Sequence, residues 1–526
     1  MPITQLGALN TTALVVPDVY VQIVPPQTTL LNGVPTNVLG VVGTAQWGPI
    51  NVPTIVGNMA QFARSFGAIQ DNANDLGTAS AVAVLQGASN LRCVRVTDGT
   101  DVAATATITD GDSNTPVDAV TATALYTGTL GNQITLILSE GSNSVSGSET
   151  WKLTVAIPGR VAEVFDNVGG TAGTTAGSVW ANLVDAVNNG QSVLRGASEI
   201  ISLAIASNPT TSAPVSGSTV VMTGGADGAG VSAANMVGTA EPRTGMYALS
   251  GSGFSVLNLS GFTDETRWSE IDSFCLAEGA YGVLSCPAGQ TVAQSVATKK
   301  SASADSYALK IMHGDWVYWF DGVAGRTRLI APANFAAGRL ASLSPEQSTL
   351  NKPVYGLVGT ERGEANQVYS SAELQELASA GVDVIANPSP GGEYFSCRIG
   401  HNASSNPVIH GDNYTRMTNY LASTFNAGLG LFLGRLQSAV VRRQAKNTLE
   451  NFLSALELAG QIGNAEGTTP FQVTLDSTNN LPSQVALGYM RADVKVQYLS
   501  VIEKFLVNVE GGQSVTIERV TAEPAI

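Results

Sequence analysis

Residues able to do chemistry are few in this chain, and they are far apart. Histidines stand at 313, 401 and 410, and two of them open the same tripeptide, His313-Gly314-Asp315 and His410-Gly411-Asp412. A His-Asp pair can orient a base for a serine nucleophile. The chain has no Gly-x-Ser-x-Gly elbow to present that serine, and Gly-Asp after a histidine suits a turn. Residues 110–118, Asp-Gly-Asp-Ser-Asn-Thr-Pro-Val-Asp, begin like a calcium loop through Asp110, Asp112 and Asn114. Thr115 then occupies the position that needs glycine, and Thr121 the position of the closing carboxylate, so a solvated hairpin loop is expected. No lysine follows a glycine and no histidine opens His-Glu-x-x-His, which removes the P-loop and the commonest zinc-protease motif. The glycine-rich run at 428–434 follows a helical pattern rather than a strand, so it reads as close packing and not as a dinucleotide cradle. Residues 223–230, Thr-Gly-Gly-Ala-Asp-Gly-Ala-Gly, read as a flexible crossover. No catalytic residue, cofactor site or metal site is expected.

One charged feature differs from its surroundings. The chain has 26 basic and 41 acidic residues, a net charge of −15, which would repel a phosphate backbone and argues against nucleic-acid binding. Within this acidic background Arg435, Arg442 and Lys446 fall at i, i+7 and i+11, on one face of a predicted helix, with Arg443 beside them. Lys446 and Glu450, at i, i+4, suit a solvated face. The alternative is a docking stripe for an acidic partner.

The elements that would carry these residues can be read from pattern. At 526 residues the chain exceeds what one core supports, so roughly three or four domains are expected. Residues 1–20 lack a basic and then apolar leader, and no apolar run reaches membrane-spanning length. Cys93, Cys275, Cys286 and Cys397 form no Cys-x-x-Cys pair and read as reduced and buried. Residues 12–23 suggest an extended arm around Pro17. From 38 to 96 a strand, two helices and a second strand make an α/β unit, interrupted at Trp47-Gly48-Pro49 by a corner that no catalytic chemistry requires. Short β-type runs from 99 to 168, separated by Gly, Asn, Asp and Ser clusters, suggest an inserted β-sandwich. Helices and strands alternate from about 240 to 395, the mark of an α/β sheet. Beyond 398 the pattern turns helical, with Met417, Leu421 and Phe425 on one face and Leu449, Phe452, Leu453 and Leu456 on another. Strand-like sequence closes the chain.

Taken in order, several stretches resemble the contractile tail sheath proteins of bacteriophages and related contractile particles. They are VVGTAQWGPINVPTIVGNMAQFARSFG, LYTGTLGNQITL, AGRLASLSPEQSTLNKPV, and the run FLSALELAGQIGN, FQVTLDSTNN and ALGYMRADVKVQY. The chain departs from the commoner family pattern at 397–423, CRIGHNASSNPVIHGDNYTRMTNYLAS. The resemblance implies a multidomain α/β fold: an N-terminal arm at 1–30, the first part of an α/β core at 31–98, an inserted β-sandwich at 99–225, a central domain at 226–395, a C-terminal domain at 396–508 and a C-terminal arm at 509–526. It implies a structural subunit and not an enzyme, assembled in the bacterial cytoplasm as stacked six-membered rings around a tail tube, and capped by baseplate and terminator proteins in the virion. Nucleic acid and membrane are not among the implied partners. Arm residues Val15, Val16, Val19, Val21, Val515, Ile517 and Val520 would add strands to neighbouring subunits. Arg435, Arg442, Arg443 and Lys446 would face the tube, and Trp47 would plug its corner. An α/β hydrolase or transferase, and a capsid or surface-layer component, are the competing readings.

Overall fold

A computed structural model describes residues 3–4, 21–22, 31–112, 114–169, 176–206, 212–364 and 367–509. Its centre is a six-stranded sheet in the order Leu309–Met312, Tyr281–Ser285, Val256–Leu259, Val38–Gly43, Asn90–Arg95, Thr54–Val56. The first five are parallel and the last, at the edge, is antiparallel. Strand Val38–Gly43 is buried at every position, as a parallel strand covered on both faces must be. Its side chains alternate between two cores: Val38 and Val42 join Trp268, Ile271 and Phe274, whereas Leu39 and Val41 join Phe62, Phe66, Leu76 and Phe335. Helices therefore cover both faces. On one, Leu76–Leu85 crosses Pro332–Ser342 so closely that a Cβ at Gly338 would stand 2.7 Å from the Cα of Ala83.

Between strands Asn90–Arg95 and Val256–Leu259 the chain leaves this sheet to build two antiparallel sheets. One runs Glu163–Gly169, Thr150–Ala156, Thr135–Glu140, Ser218–Val221, and the other Ile201–Ile205, Asp118–Thr127, Ala103–Thr109. Ile108, Val120, Leu136, Leu153, Phe165 and, from helix Ala176–Asn189, Trp180 and Leu183 share one core between them. The calcium-like stretch at 110–118 joins two paired strands of the smaller sheet. Residues 223–230 are not the flexible crossover expected: the Asp227 carboxylate accepts from Thr129 N, Thr129 Oγ1 and Gln70 Nε2 at 2.7, 2.7 and 2.9 Å.

Near the C-terminus, helices Asp412–Leu429 and Ala439–Leu458 bury Met417, Leu421, Leu449, Phe452, Leu453 and Leu456 together with Leu31. The antiparallel pair Phe471–Thr474 and Asp493–Val496 lies beside them. Strand structure was expected to continue to the chain end. Instead residues 497–509 have no regular secondary structure, and Ile502, Phe505, Leu506, Val507 and Val509 are exposed. At the other end Ile3–Thr4 pairs in parallel with Val21–Gln22. Of the arm residues, Val21 lies in that pair, and Val15, Val16, Val19, Val515, Ile517 and Val520 lie outside the described residues.

Candidate functional site

A doubly wound sheet places its ligand crevice where strand order reverses, beyond the carboxyl ends of the strands. Here the chain goes from Val38–Gly43 to one side and later returns to Val256–Leu259 on the other, which puts the reversal between those two strands. The crevice is occupied by the chain itself. Thr44 N donates to Asn74 O and Leu76 N to Thr44 O, both at 2.9 Å. On the opposite strand, Asn74 Nδ2 donates to Ser260 O at 2.9 Å and Ser260 Oγ to Asp75 O at 2.8 Å. A Cβ at Gly261, whose φ is +65°, would sit 2.2 Å from Ala73 O. Asp75, fully buried, caps helix Leu76–Leu85 through Gly77 N and Thr78 N. Burial pushes its carboxyl up to about 6 despite those hydrogen bonds. The place where this architecture would hold a substrate is packed backbone.

The most concentrated buried charge is a group that sequence reading missed. Lys310 sits in a fully buried strand, and its Nζ reaches Asp383 Oδ2 at 2.7 Å, Asp412 Oδ1 at 3.0 Å and the His401 carbonyl at 3.1 Å. Tyr281 donates to Asp412 Oδ1 at 2.6 Å, and Thr349 Oγ1 donates to its other oxygen. Asp383 accepts from the N–H groups of Val384, Ile399 and Gly400. Burial alone would raise the Asp412 carboxyl; the Lys310 charge and the hydrogen bonds from Thr349, Tyr281 and Lys310 outweigh it and hold it down at about 2. For Lys310, burial pulls down and the two carboxylates push up more strongly, so it stays protonated. The satisfied network ties the edge of the central sheet to the start of helix Asp412–Leu429. Its one signal in the sequence is a lysine inside the apolar run at 307–312.

The two His-Gly-Asp tripeptides come to different ends, neither of them a catalytic pair. His313 is buried with Nδ1 at 2.7 Å from Ser295 Oγ, and burial lowers its pKa to about 4. Asp315 accepts from Arg362 N and from the Tyr369 hydroxyl. Asp412 belongs to the lysine network. His410 instead meets His401, ring centres 3.8 Å apart, in a cleft of about 1120 Å³ crossed by residues 501–504.

The basic residues do not form the single stripe expected. Gly434 turns the chain at φ +78°, and Ser438 caps the helix by accepting from Val441 N, so the helix starts at Ala439. Arg435 therefore precedes it, exposed, with its guanidinium 5.4 Å from the centre of the Phe432 ring. Arg442 is half-buried, Arg443 exposed, and Lys446 stands 3.6 Å from Glu450. Leu433, Leu436 and Val440 are exposed among them. Trp47 is fully buried, but its ring belongs to the core of the antiparallel sheets, edge-on to Tyr126 at 5.3 Å. Arg95 Nη1 closes the corner by donating to Gly48 O and Thr127 O, both at 2.9 Å. A Cβ at Gly48, φ +99°, would be 2.5 Å from Ser65 O. Pro49 follows that glycine on the way back to strand Thr54–Val56. The corner is thus the joint between the central sheet and the antiparallel sheets.

No helix among the described residues is long and apolar enough to cross a membrane. No protein-family model matches the chain, and no curated protein sequence matches it. Solved structures do. The sheath tail protein from Listeria innocua superposes with a TM-score of 0.57 at 16% identity, covering 85% of this chain and 90% of that one. The sheath tail protein from Desulfitobacterium hafniense gives 0.54 at 16% identity, over 87% and 93%. The helical sheath of the anti-feeding prophage, in its contracted state, gives 0.52 at 10% identity, over 94% and 99%. Central sheet, inserted antiparallel sheets and C-terminal helices together have the fold of the tail sheath proteins.

Proposed function

We propose that this chain is the structural subunit of a contractile tail sheath, polymerising around an inner tube and contracting to drive that tube through a cell envelope. The observation that carries the proposal is the likeness to sheath subunits over 85% to 94% of the chain, one of them within a contracted helical sheath. The packed crevice supports a non-enzymatic role, because the fold's usual ligand position is filled by the chain's own backbone and by the Asn74 and Ser260 side chains. In this reading residues 1–30 and 509–526 are arms that add strands to neighbours, 99–225 form an inserted β-sandwich, and 31–98, 226–395 and 396–508 make the body. Subunits stack as six-membered rings in the virion, assembled in the host cytoplasm, with tail tube, baseplate and terminator proteins as partners. Arg435, Arg442, Arg443 and Lys446 face the tube. Exposed Ile502, Phe505, Leu506 and Val507, which lead into the arm, and Val509 at its start support an inter-subunit contact there, since an apolar surface of that kind marks a contact with another molecule.

Negative-stain microscopy of purified full-length protein tests the proposal. Hollow, helically striated tubes are expected. Only dispersed monomers or small closed oligomers, over a range of salt and concentration, would overturn it.

A further inference from the structure

We propose that His401, His410 and Glu503 form a binding site for a divalent transition cation of the zinc class, which pins the C-terminal segment to the body. One ligand atom from each of the three residues lies within 4.8 Å of the others. Tetrahedral donors around such an ion stand about 3.4 Å apart, as bond lengths of about 2.0–2.2 Å require, so small side-chain rotations would close the set. Two imidazoles and one carboxylate select zinc-like ions over calcium or magnesium, which prefer all-oxygen shells.

The site is built, not casual. His401 and Gly411 form an antiparallel bridge, and Asn402 N donates to His410 O at 2.7 Å, which fixes the two histidines on paired backbone. The His401 carbonyl is held by Lys310. His410 Nδ1 is buried and has no hydrogen-bond partner among the described residues, a penalty that a ligand bond would remove. Glu503 already reaches His401 Nε2 at 2.9 Å from the irregular segment 497–509. Three protein ligands leave a fourth position for water, as open zinc sites do. Lys352, Arg398, Lys504 and Glu346 also line the cleft, and Glu503 is the carboxylate grouped with the two histidines, so its charge is the one that offsets the cations at the site.

The test uses untagged full-length protein stripped with chelator and titrated with zinc chloride by calorimetry, with cobalt absorption as a second readout. One ion per chain is expected, with a tetrahedral cobalt spectrum, and at least tenfold weaker binding in His410→Ala and in Glu503→Gln. Zinc should also slow proteolysis within 497–509 in the wild type and not in Glu503→Gln. If His410→Ala fails to fold, Glu503→Gln, altered only in an exposed segment, decides alone. Absence of zinc binding, or binding unchanged in Glu503→Gln, would overturn the proposal. None of these outcomes depends on whether the chain forms tubes.

Discussion

Lys310 shows how a single side chain can join two parts of this molecule. Removing it would leave Asp383 and Asp412 facing each other in a dry interior, and breaking a buried pair in this way costs about 3–5 kcal/mol. Lys310→Met should therefore lower the melting temperature sharply at neutral pH. The pH dependence carries the sharper signature. The Asp412 carboxyl is depressed to about 2, so its stabilisation is present above the ordinary carboxylate value of about 3.9 and is lost as pH falls through about 2. The Lys310 amine is raised, so its contribution is present below its ordinary value of about 10.4 and is lost only at higher pH. In Lys310→Met the Asp412 carboxylate loses its counter-charge and favours the protonated form. The variant should then gain stability relative to wild type as pH drops from 7 toward 5, measured by thermal melts across that range; a constant deficit would reject the ionic account. Trp47 makes a different joint, through packing. Trp47→Ala should cost about 3–5 kcal/mol, and Trp47→Phe should cost less, because it also removes an indole N–H that is buried without a partner among the described residues. Equal melting temperatures for wild type and Trp47→Ala would show that the joint bears no load.

The segment around helix Ala439–Leu458 carries the chain's distinctive positive charge, and the structure changes which residues test it. Lys446 is engaged with Glu450 and Arg442 is half-buried, so Arg435 and Arg443 are the cations most available to a partner. Each exposed ion pair is worth about 0–1 kcal/mol, yet repetition along a sleeve sums to a firm, salt-sensitive hold. Arg435→Glu with Arg443→Glu should leave the monomer's stability within about 0.5 kcal/mol of wild type and still permit empty tubes. Sheath extended on tail tubes should be lost in micrographs, and normal extended tails would identify a merely solvated surface. The error about Arg435 is instructive. Helical spacing extends back to Arg435 only if the helix runs across Ser438, but the Ser438 cap starts the helix at Ala439 and leaves Arg435 in the turn that follows Gly434. Elsewhere local pattern was enough: Met417 and Leu421 on one helix, and Leu449, Phe452, Leu453 and Leu456 on the next, are buried as their spacing implies. The Lys310 network and the His401, His410 and Glu503 cluster were out of reach for a plain reason. Lys310 meets Asp383 and Asp412 at sequence separations of 73 and 102, and Glu503 meets His401 at 102, whereas periodicity in one sequence reports only neighbours along the chain.

At the scale of the whole molecule, the body is closed and the end is open. The two faces of the central sheet and the antiparallel sheets bury their apolar residues in separate cores, and the reversal point that would admit a small molecule is filled. Among the described residues several exposed apolar side chains cluster at the end: Ile502, Phe505, Leu506, Val507 and Val509, in a segment without regular secondary structure. Phe505, Val507 and Val509 alternate as a strand's buried face does, so adding this segment to a neighbour's sheet would pair its backbone and cover that face together. The unit that is complete is then the assembly rather than the subunit, and the end of the chain should govern polymerisation without governing folding. Deleting residues 505–526, which spares Glu503, removes only exposed side chains among those described, so the truncated chain should keep its circular dichroism and its stability within about 0.5 kcal/mol of full length. It should also be more soluble, having lost an apolar patch. Under conditions in which the full chain forms tubes, it should remain monomeric by sedimentation and show no tubes by microscopy. Tubes from the truncated chain would move the inter-subunit link to another part of the surface.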